Sequence, residues 1–350
     1  MECKRFALGP AVGLSILTAL APATRAWDET GHTIVTELAS RLIPPDMPAF
    51  LRTPEHAARL RYLATEPDRW RNTRLAPMGH VNKPEHYFDI DLLELYELTP
   101  ETLPRYGRDF IAAMAVYKSK HADKDFHYDR SNDREHAREW PGLAPYRICE
   151  MFVKLRSSWQ TLNTYQKYAD VAGAGTIDTC RANIIHYMGL MSHYVGDLAQ
   201  PLHTTKHYNG WIGENPNGFT TADTFHALID TGVIRDASIT VESCWKRSPA
   251  RMPLGDDARL FESVMDYTVR SFSLVESIYQ HQKDGAFDKD SPDFARGVNF
   301  VEQRLCAGAI MLESLWEGAY RDAGIDSFRE RRLIELRHKS SPVEPAPTGG

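Results

Sequence analysis

Apolar positions recur at three- and four-residue intervals along most of this chain. Ile34, Val35, Leu38, Ala39 and Leu42 share one helical face, and Pro44-Pro45 ends the run. Similar spacing predicts helices over 110–120 and 145–162. The longest pattern covers 179–198 and contains Ile184, Ile185, Met188, Met191, Tyr194 and Val195, with Pro201 just beyond its end. Two more helices are predicted from about 257 to 282 and from about 297 to 323. Alternating strand patterns are scarce. The segment 80–91 reads as irregular or briefly extended, and 206–221, rich in Gly, Asn and Pro, reads as a loop. With no internal repeat and no long linker, the pattern predicts an all-α fold: one multi-helical domain.

The two ends break this pattern. Lys4 and Arg5 precede an apolar stretch from Phe6 to about Ala21, followed by Thr24-Arg25-Ala26. This is the layout of a signal peptide over 1–26, and an uncleaved anchor is the alternative. Cleavage after Ala26 makes Trp27 the first mature residue and implies a secreted or periplasmic protein with no stable membrane span. The catalytic domain then covers 27–338, and the Ser-, Pro-, Thr- and Gly-rich stretch 339–350 is expected to be a disordered tail. The formal charge is −6, and it becomes −8 when three basic and one acidic side chain leave with the first 26 residues. Such a balance excludes global attraction for nucleic acid or anionic membrane, so a polyanionic substrate requires local positive charge, with metals the obvious source. Cys149, Cys180, Cys244 and Cys306 remain after Cys3 is removed. An even number in an exported chain predicts two disulfides, with three pairings open.

The chemistry is concentrated in histidines and aspartates. His193 and Asp197 stand four apart on the strongest predicted helix, so they share a face. Gln200-Pro201-Leu202 then turns the chain, which lets His203 return towards them. His226 and Asp230 repeat the four-residue spacing, and His32, Asp68 and His86 supply further imidazole and carboxylate groups. One such pair alone is ordinarily a salt-bridged or capping pair. Two pairs with a third histidine suit a multi-zinc hydrolytic site.

As a set, these segments resemble the fungal and plant single-strand-specific three-zinc nucleases. Trp27-Asp-Glu-Thr-Gly31-His32 looks like that family's mature N-terminus. Pro67-Asp68-Arg69-Trp70-Arg71 is similar to its Asp-x-x-Arg segment, and His86-Tyr87-Phe88-Asp89 to its His-Tyr-Ile-Asp segment. The closest match is His193-Tyr-Val-Gly196-Asp197-Leu-Ala-Gln200-Pro201-Leu202-His203. Thr224-Phe225-His226-Ala-Leu-Ile-Asp230-Thr-Gly232 looks like the last ligand pair. The zinc-dependent bacterial phospholipases C share the superfamily and several of these motifs. The chain departs from the nuclease pattern in the Asp68-to-His86 interval and in lacking a Gly-Gly-Asn element before His226.

The resemblance implies three zinc ions. Asp68, His86, His193 and Asp197 are expected to hold the first, and His203, His226 and Asp230 the second. The amine and carbonyl of Trp27, with His32 and Asp197, are expected to hold the third, with Asp197 bridging. It further implies that Asp68 orients or deprotonates the attacking water and that Arg71 binds phosphate; a surface salt bridge is the plainer role for Arg71. The implied activity is hydrolysis of single-stranded nucleic acid, with 3′-nucleotides as further substrates. A phospholipase C acting on phospholipid is the first alternative, and a secreted zinc-binding protein without turnover is the second. His186 sits seven residues before His193 and is expected to be a satisfied core histidine. His80 and His207 are expected in loops. Tyr208, Trp211 and Phe219 are candidates for stacking a base or acyl chain, or for packing within their own loop.

Overall fold

A computed structural model describes residues 27–73, 75–126, 128, 130–247 and 259–340. The expected signal peptide and residues 341–350 of the expected tail lie outside the described residues. Among the described residues every regular element is helical, and the only sheet-like contact is a bridge between Phe88 and Gly142.

The chain opens with α1 (Glu29–Leu42), whose N-terminus is capped by Asp28 accepting from the Thr30 and Gly31 amides. Helices α2 (Pro54–Ala64), α3 (Glu66–Arg71) and α4 (Ala76–Asn82) follow, then 3₁₀ turns at Lys83–His86 and Ile90–Tyr96. After α5 (Gly107–Lys120), the long α6 (Ala144–Lys167) and the single turn α7 (Ala169–Ala172) lead into α8 (Ala174–Ala199). A short run, α9 (Phe225–Ala227), passes through a π-helical turn at Leu228–Gly232 into α10 (Val233–Asp236). The rest comprises α11 (Val241–Trp245), α12 (Leu260–Phe272), α13 (Val275–Lys283), α14 (Phe294–Arg321) and α15 (Ser327–Ser340).

Helix α8 is the axis of the molecule. It packs against α6, α2, α14, α1 and α12. Every residue from Met188 to Ala199 is buried, the result expected for a helix whose C-terminal half has no polar face. Its closest approach is made at Gly189, where a Cβ would stand 2.5 Å from Leu63 Cβ. The missing side chain lets α2 come close enough for the Ala64 carbonyl to reach His193.

Most predicted helices are present, with α8 and α14 starting a few residues earlier than the pattern indicated. The single helix expected over 257–282 is instead α12 and α13, with residues 257 and 258 outside the described set. The break falls at Ser273-Leu274, where Ser273 Oγ donates to the Arg270 carbonyl and competes with continued helical bonding. The segment 80–91 is mostly helical turn and only briefly extended, at Tyr87–Asp89. Helices α2, α3 and α15 were not visible in the pattern, because their polar residues leave little apolar periodicity.

The two expected disulfides are not present: all four cysteines are free thiols. Cys180 lies beside Thr161 of α6, about 18 Å along that helix from Cys149, whereas a disulfide needs Cα atoms within about 7 Å. Cys244 and Cys306 are neighbours, with Cys306 Sγ 3.6 Å from the Cys244 carbonyl oxygen.

Candidate metal centre

Five pieces of chain meet at the C-terminal end of α8, which itself carries His193 and Asp197. Helix α1 brings His32, α3 brings Asp68 and Arg71, and the turn after α4 brings His86. The 3₁₀ turn Pro201–His203 supplies His203, and α9 with the π-helical turn supplies His226 and Asp230. Two main-chain bonds zip the extended segment to the post-α8 turn: Phe88 N to His203 O at 2.9 Å and Ile90 N to Thr204 O at 3.0 Å. Asp230 sits in the π-helical turn, a geometry often found at functional sites.

Three groups of ligand-type atoms converge, each with its atoms within 4.8 Å of one another. They are His32, His193 and Asp197; Asp68, His86 and His193; and His203, His226 and Asp230. Asp197 turns one carboxylate oxygen each way. Its Oδ1 is 3.4 Å from His32 Nε2, while Oδ2 is 3.0 Å from His86 Nδ1 and 3.4 Å from His193 Nε2. His193 Nε2 is also 3.8 Å from Asp68 Oδ1, and its ring stacks on His32 with centroids 4.0 Å apart. In the third group the Nε2 atoms of His203 and His226 are 2.9 Å apart, and Asp230 Oδ2 is 3.0 Å from His226 Nε2. The eight side chains expected as ligands therefore share one region. Trp27 is fully buried beside them, its indole donating to the Gly196 carbonyl at 2.9 Å, one residue from Asp197.

Proton bookkeeping tests whether a cation fits. His193 Nδ1 is 2.7 Å from the Ala64 carbonyl and His203 Nδ1 is 2.6 Å from the His86 carbonyl. Each of these nitrogens must carry the proton, so each Nε2 is a bare lone pair. Those lone pairs face other imidazole nitrogens and carboxylates, and the single N–H that neutral His86 or His226 can offer does not serve all of them. His32 Nδ1 and Nε2, His86 Nε2, Asp68 Oδ1, Asp197 Oδ1, His226 Nδ1 and Asp230 Oδ2 are buried without a hydrogen-bond partner. Each such atom costs about 1–3 kcal/mol if left alone. Divalent cations fit the converging atoms, one from each ring or carboxylate, and mixed nitrogen and oxygen donors are the set that zinc takes.

Electrostatics point the same way. Burial lowers His32 to about 4 and His226 to about 3, and holds His86, His193 and His203 well below the usual histidine range. All five are neutral at physiological pH, the form that ligates metal. Burial also pushes the Asp230 carboxyl up to about 7 and Asp197 well above its ordinary value, with Asp68 adding repulsion at Asp197. These acids lack the positive charge their surroundings call for.

Two of the groups reach a cleft of about 320 Å³ through His86, His203 and His226; Arg71, Tyr87, Asp89, Arg138 and Tyr208 also line it. Arg71 is largely buried, with Nε 2.7 Å from Asp68 Oδ1 but not aligned as a hydrogen bond, so it is no surface salt bridge. Three further groups escaped the sequence reading. Gln200 is fully buried and donates to Asp230 Oδ1 at 2.8 Å. Arg138 lies over the rings of Tyr87 and Tyr208, at 4.5 and 4.4 Å. Asp89, buried in the cleft wall, is lifted to about 8 by that burial despite Arg138 nearby. Gln200 and Asp89 stand inside the quoted motifs; Arg138 has no local signal. Beyond Arg138, an apolar chamber lined by Leu92, Leu95, Tyr96, Phe126 and Ile212 shares Asp89 and Tyr208 with the cleft.

The other candidates lie elsewhere. His186 is half-buried in a groove with His56 and Arg59. His80 bonds to main-chain carbonyls of the 135–136 turn. His207 stacks on Trp211, which packs with Phe219 and Tyr279, so Trp211 and Phe219 serve their own loop and only Tyr208 reaches the cleft.

The S1/P1 nuclease family model matches residues 27–318. The chain belongs to the S1/P1 nuclease family. The match begins at Trp27 and takes in every residue of the three convergent groups. Membership identifies the protein as a nuclease-like phosphodiester hydrolase, and the His and Asp groups as ones that can bind metal. A comparison with curated proteins found no match. No helix among the described residues of this S1/P1 family member is long and apolar enough to cross a membrane.

Proposed function

We propose that this chain is an exported, three-zinc phosphodiesterase that hydrolyses single-stranded nucleic acid and 3′-nucleotides. The observation that carries the reading is the convergence of imidazole nitrogens and carboxylates on eight side chains in one buried region, with many of their ligand-type atoms left without a hydrogen-bond partner. Asp68, His86, His193 and Asp197 would hold one zinc, and His203, His226 and Asp230 a second. His32, Asp197 and the freed amine and carbonyl of Trp27 would hold the third. Bound zinc supplies an acidified water and positive charge for phosphate oxygens.

The chain's own groups do the rest. Asp68, beside Arg71 of the cleft wall, orients the attacking water and accepts its proton as the water oxygen bonds to phosphorus, while the P–O bond to the leaving oxygen breaks and that oxygen takes a proton from solvent. Arg71, paired with Asp68 through Nε, offers its Nη2, which has no hydrogen-bond partner, to a non-bridging phosphate oxygen. Asp197, facing both ways, keeps two cations close by placing negative charge between them. Arg138, held between two tyrosine rings, supplies positive charge at the rim for a neighbouring phosphate. The apolar chamber beyond it takes a flat base among Tyr96, Phe126 and Tyr208. A cationic, aromatic rim favours a polyanion carrying bases over a phospholipid.

The test is a parallel assay of zinc-loaded protein starting at Trp27 on single-stranded DNA, RNA, 3′-nucleotides and phosphatidylcholine. The nucleic acids and nucleotides should be hydrolysed, activity should vanish with chelator and return with zinc. Faster turnover of phosphatidylcholine would make the chain a phospholipase C. Zinc retention without any phosphoester turnover would make it a binding protein.

A further inference from the structure

The cysteine pair at the outer face of α1 has no part in the site. Cys244, on α11, is fully buried, and Cys306, on α14, is nearly so. Cys306 Sγ approaches the Cys244 carbonyl oxygen to 3.6 Å. The two thiols lie close enough to perturb each other, Cys244 being raised and Cys306 lowered. Their backbones are held in register from both sides. A capping box of Thr240 and Ser243 fixes the start of α11. At its exit, Arg247 binds Glu302 and Asn299, which lie one and two turns before Cys306 on the same face of α14.

We infer that Cys244 and Cys306 form a disulfide in the mature protein, clamping α11 to α14, while Cys149 and Cys180 stay reduced. Closing the bond removes two protons and two electrons from the thiols. A disulfide oxidant, either oxidised glutathione or a thiol–disulfide oxidoreductase, takes them up and leaves as two thiols. Both α11 and α14 pack on α1, the helix that carries His32. The clamp therefore braces the outer wall of the metal centre. It closes a loop of about 60 residues, which restricts the unfolded chain. This inference does not depend on the substrate.

The test begins with full-length chain from Trp27, reduced, denatured and refolded with zinc in a glutathione redox buffer. It is then denatured in an alkylating reagent and mapped by peptide mass spectrometry. The expected map joins the Cys244 and Cys306 peptides and finds Cys149 and Cys180 alkylated. Four alkylated cysteines, or any bond made by Cys149 or Cys180, would overturn the assignment. In parallel, reductant should lower the Tm of the oxidised protein by about 5–10 °C. A protein carrying both Cys244→Ser and Cys306→Ser should start at that lower Tm and not respond to reductant, with kcat at 25 °C unchanged. An equal reductant response in this double variant would also overturn the inference.

Discussion

Gln200 Nε2 donates to Asp230 Oδ1 at 2.8 Å, both side chains wholly buried. The other end of the same amide, Oε1, accepts from the Leu202 amide at 2.9 Å, so the amide cannot rotate without losing a bond. Gln200 thus sets which oxygen of Asp230 is left for the cleft: Oδ2, the atom 3.0 Å from His226 Nε2. Gln200→Ala should weaken one of the three zinc ions by about 10–100-fold, the usual effect of losing a group that orients a ligand. A competition titration with a chromophoric chelator measures this. Three unchanged affinities would show that Asp230 needs no such support.

Asp197 and Asp230 should not be equivalent. Asp197 faces two histidine sets through its two oxygens, whereas Asp230 faces one. Asp197→Asn is expected to cost at least tenfold more in kcat/KM than Asp230→Asn, because it weakens two metals and removes charge between them. Equal losses with full zinc retention, measured side by side, would argue against bridging.

Metal uptake should release protons in a way that identifies which groups titrate. Asp230, raised to about 7 by burial, is protonated at pH 6 and ionised at pH 8 in metal-free protein. His32 and His226, lowered to about 4 and about 3, are neutral at both. Zinc binding should therefore release more protons at pH 6 than at pH 8, with the Asp230 carboxyl contributing whatever the first residue and the Trp27 amine only in protein that begins at Trp27. Calorimetry in buffers of different ionisation enthalpy counts them. The linkage has a defined sign: a carboxyl raised in the folded state stabilises the metal-free fold below its ordinary value of 3.8, and this contribution is lost as pH rises through about 7. Equal proton release at the two pH values would mean Asp230 is already ionised at pH 6.

The N-terminus offers the sharpest contrast. Trp27 is anchored by its indole one residue from Asp197. Protein beginning at Trp27 has a free amine there, and protein with one extra alanine has an amide nitrogen, a poor ligand. The extended form should bind less zinc and hydrolyse phosphodiesters at least tenfold more slowly. Three zinc ions with equal affinity and equal turnover in both proteins would remove Trp27 from the ligand set.

Much of the site was legible because its signals are local. The pairs His193–Asp197 and His226–Asp230 announce themselves by a four-residue spacing, and the stretch ending at His203 is a compact motif. Asp68 was named without a visible helix to carry it, since α3 is six residues of mostly polar character. Arg138 was invisible: its role rests on rings at Tyr87 and Tyr208, 51 and 70 residues away in the chain. The disulfide count failed for a related reason. Four cysteines suggest two bonds by number alone, but Cys149 is near the start of α6, while Cys180, on α8, lines a groove with Thr161 and Tyr165 near the end of α6.

The sequence by itself determined an all-helical protein with its ligand-type residues in recognisable pairs, because helical period and motif spacing act within a few residues. Only tertiary structure decided that three acceptor groups share one buried region. Their convergence depends on α2 approaching α8 at Gly189 and on the 86–90 segment pairing with 203–204. Those contacts join residues more than a hundred positions apart. They arise from how buried faces fit together, which no local spacing encodes.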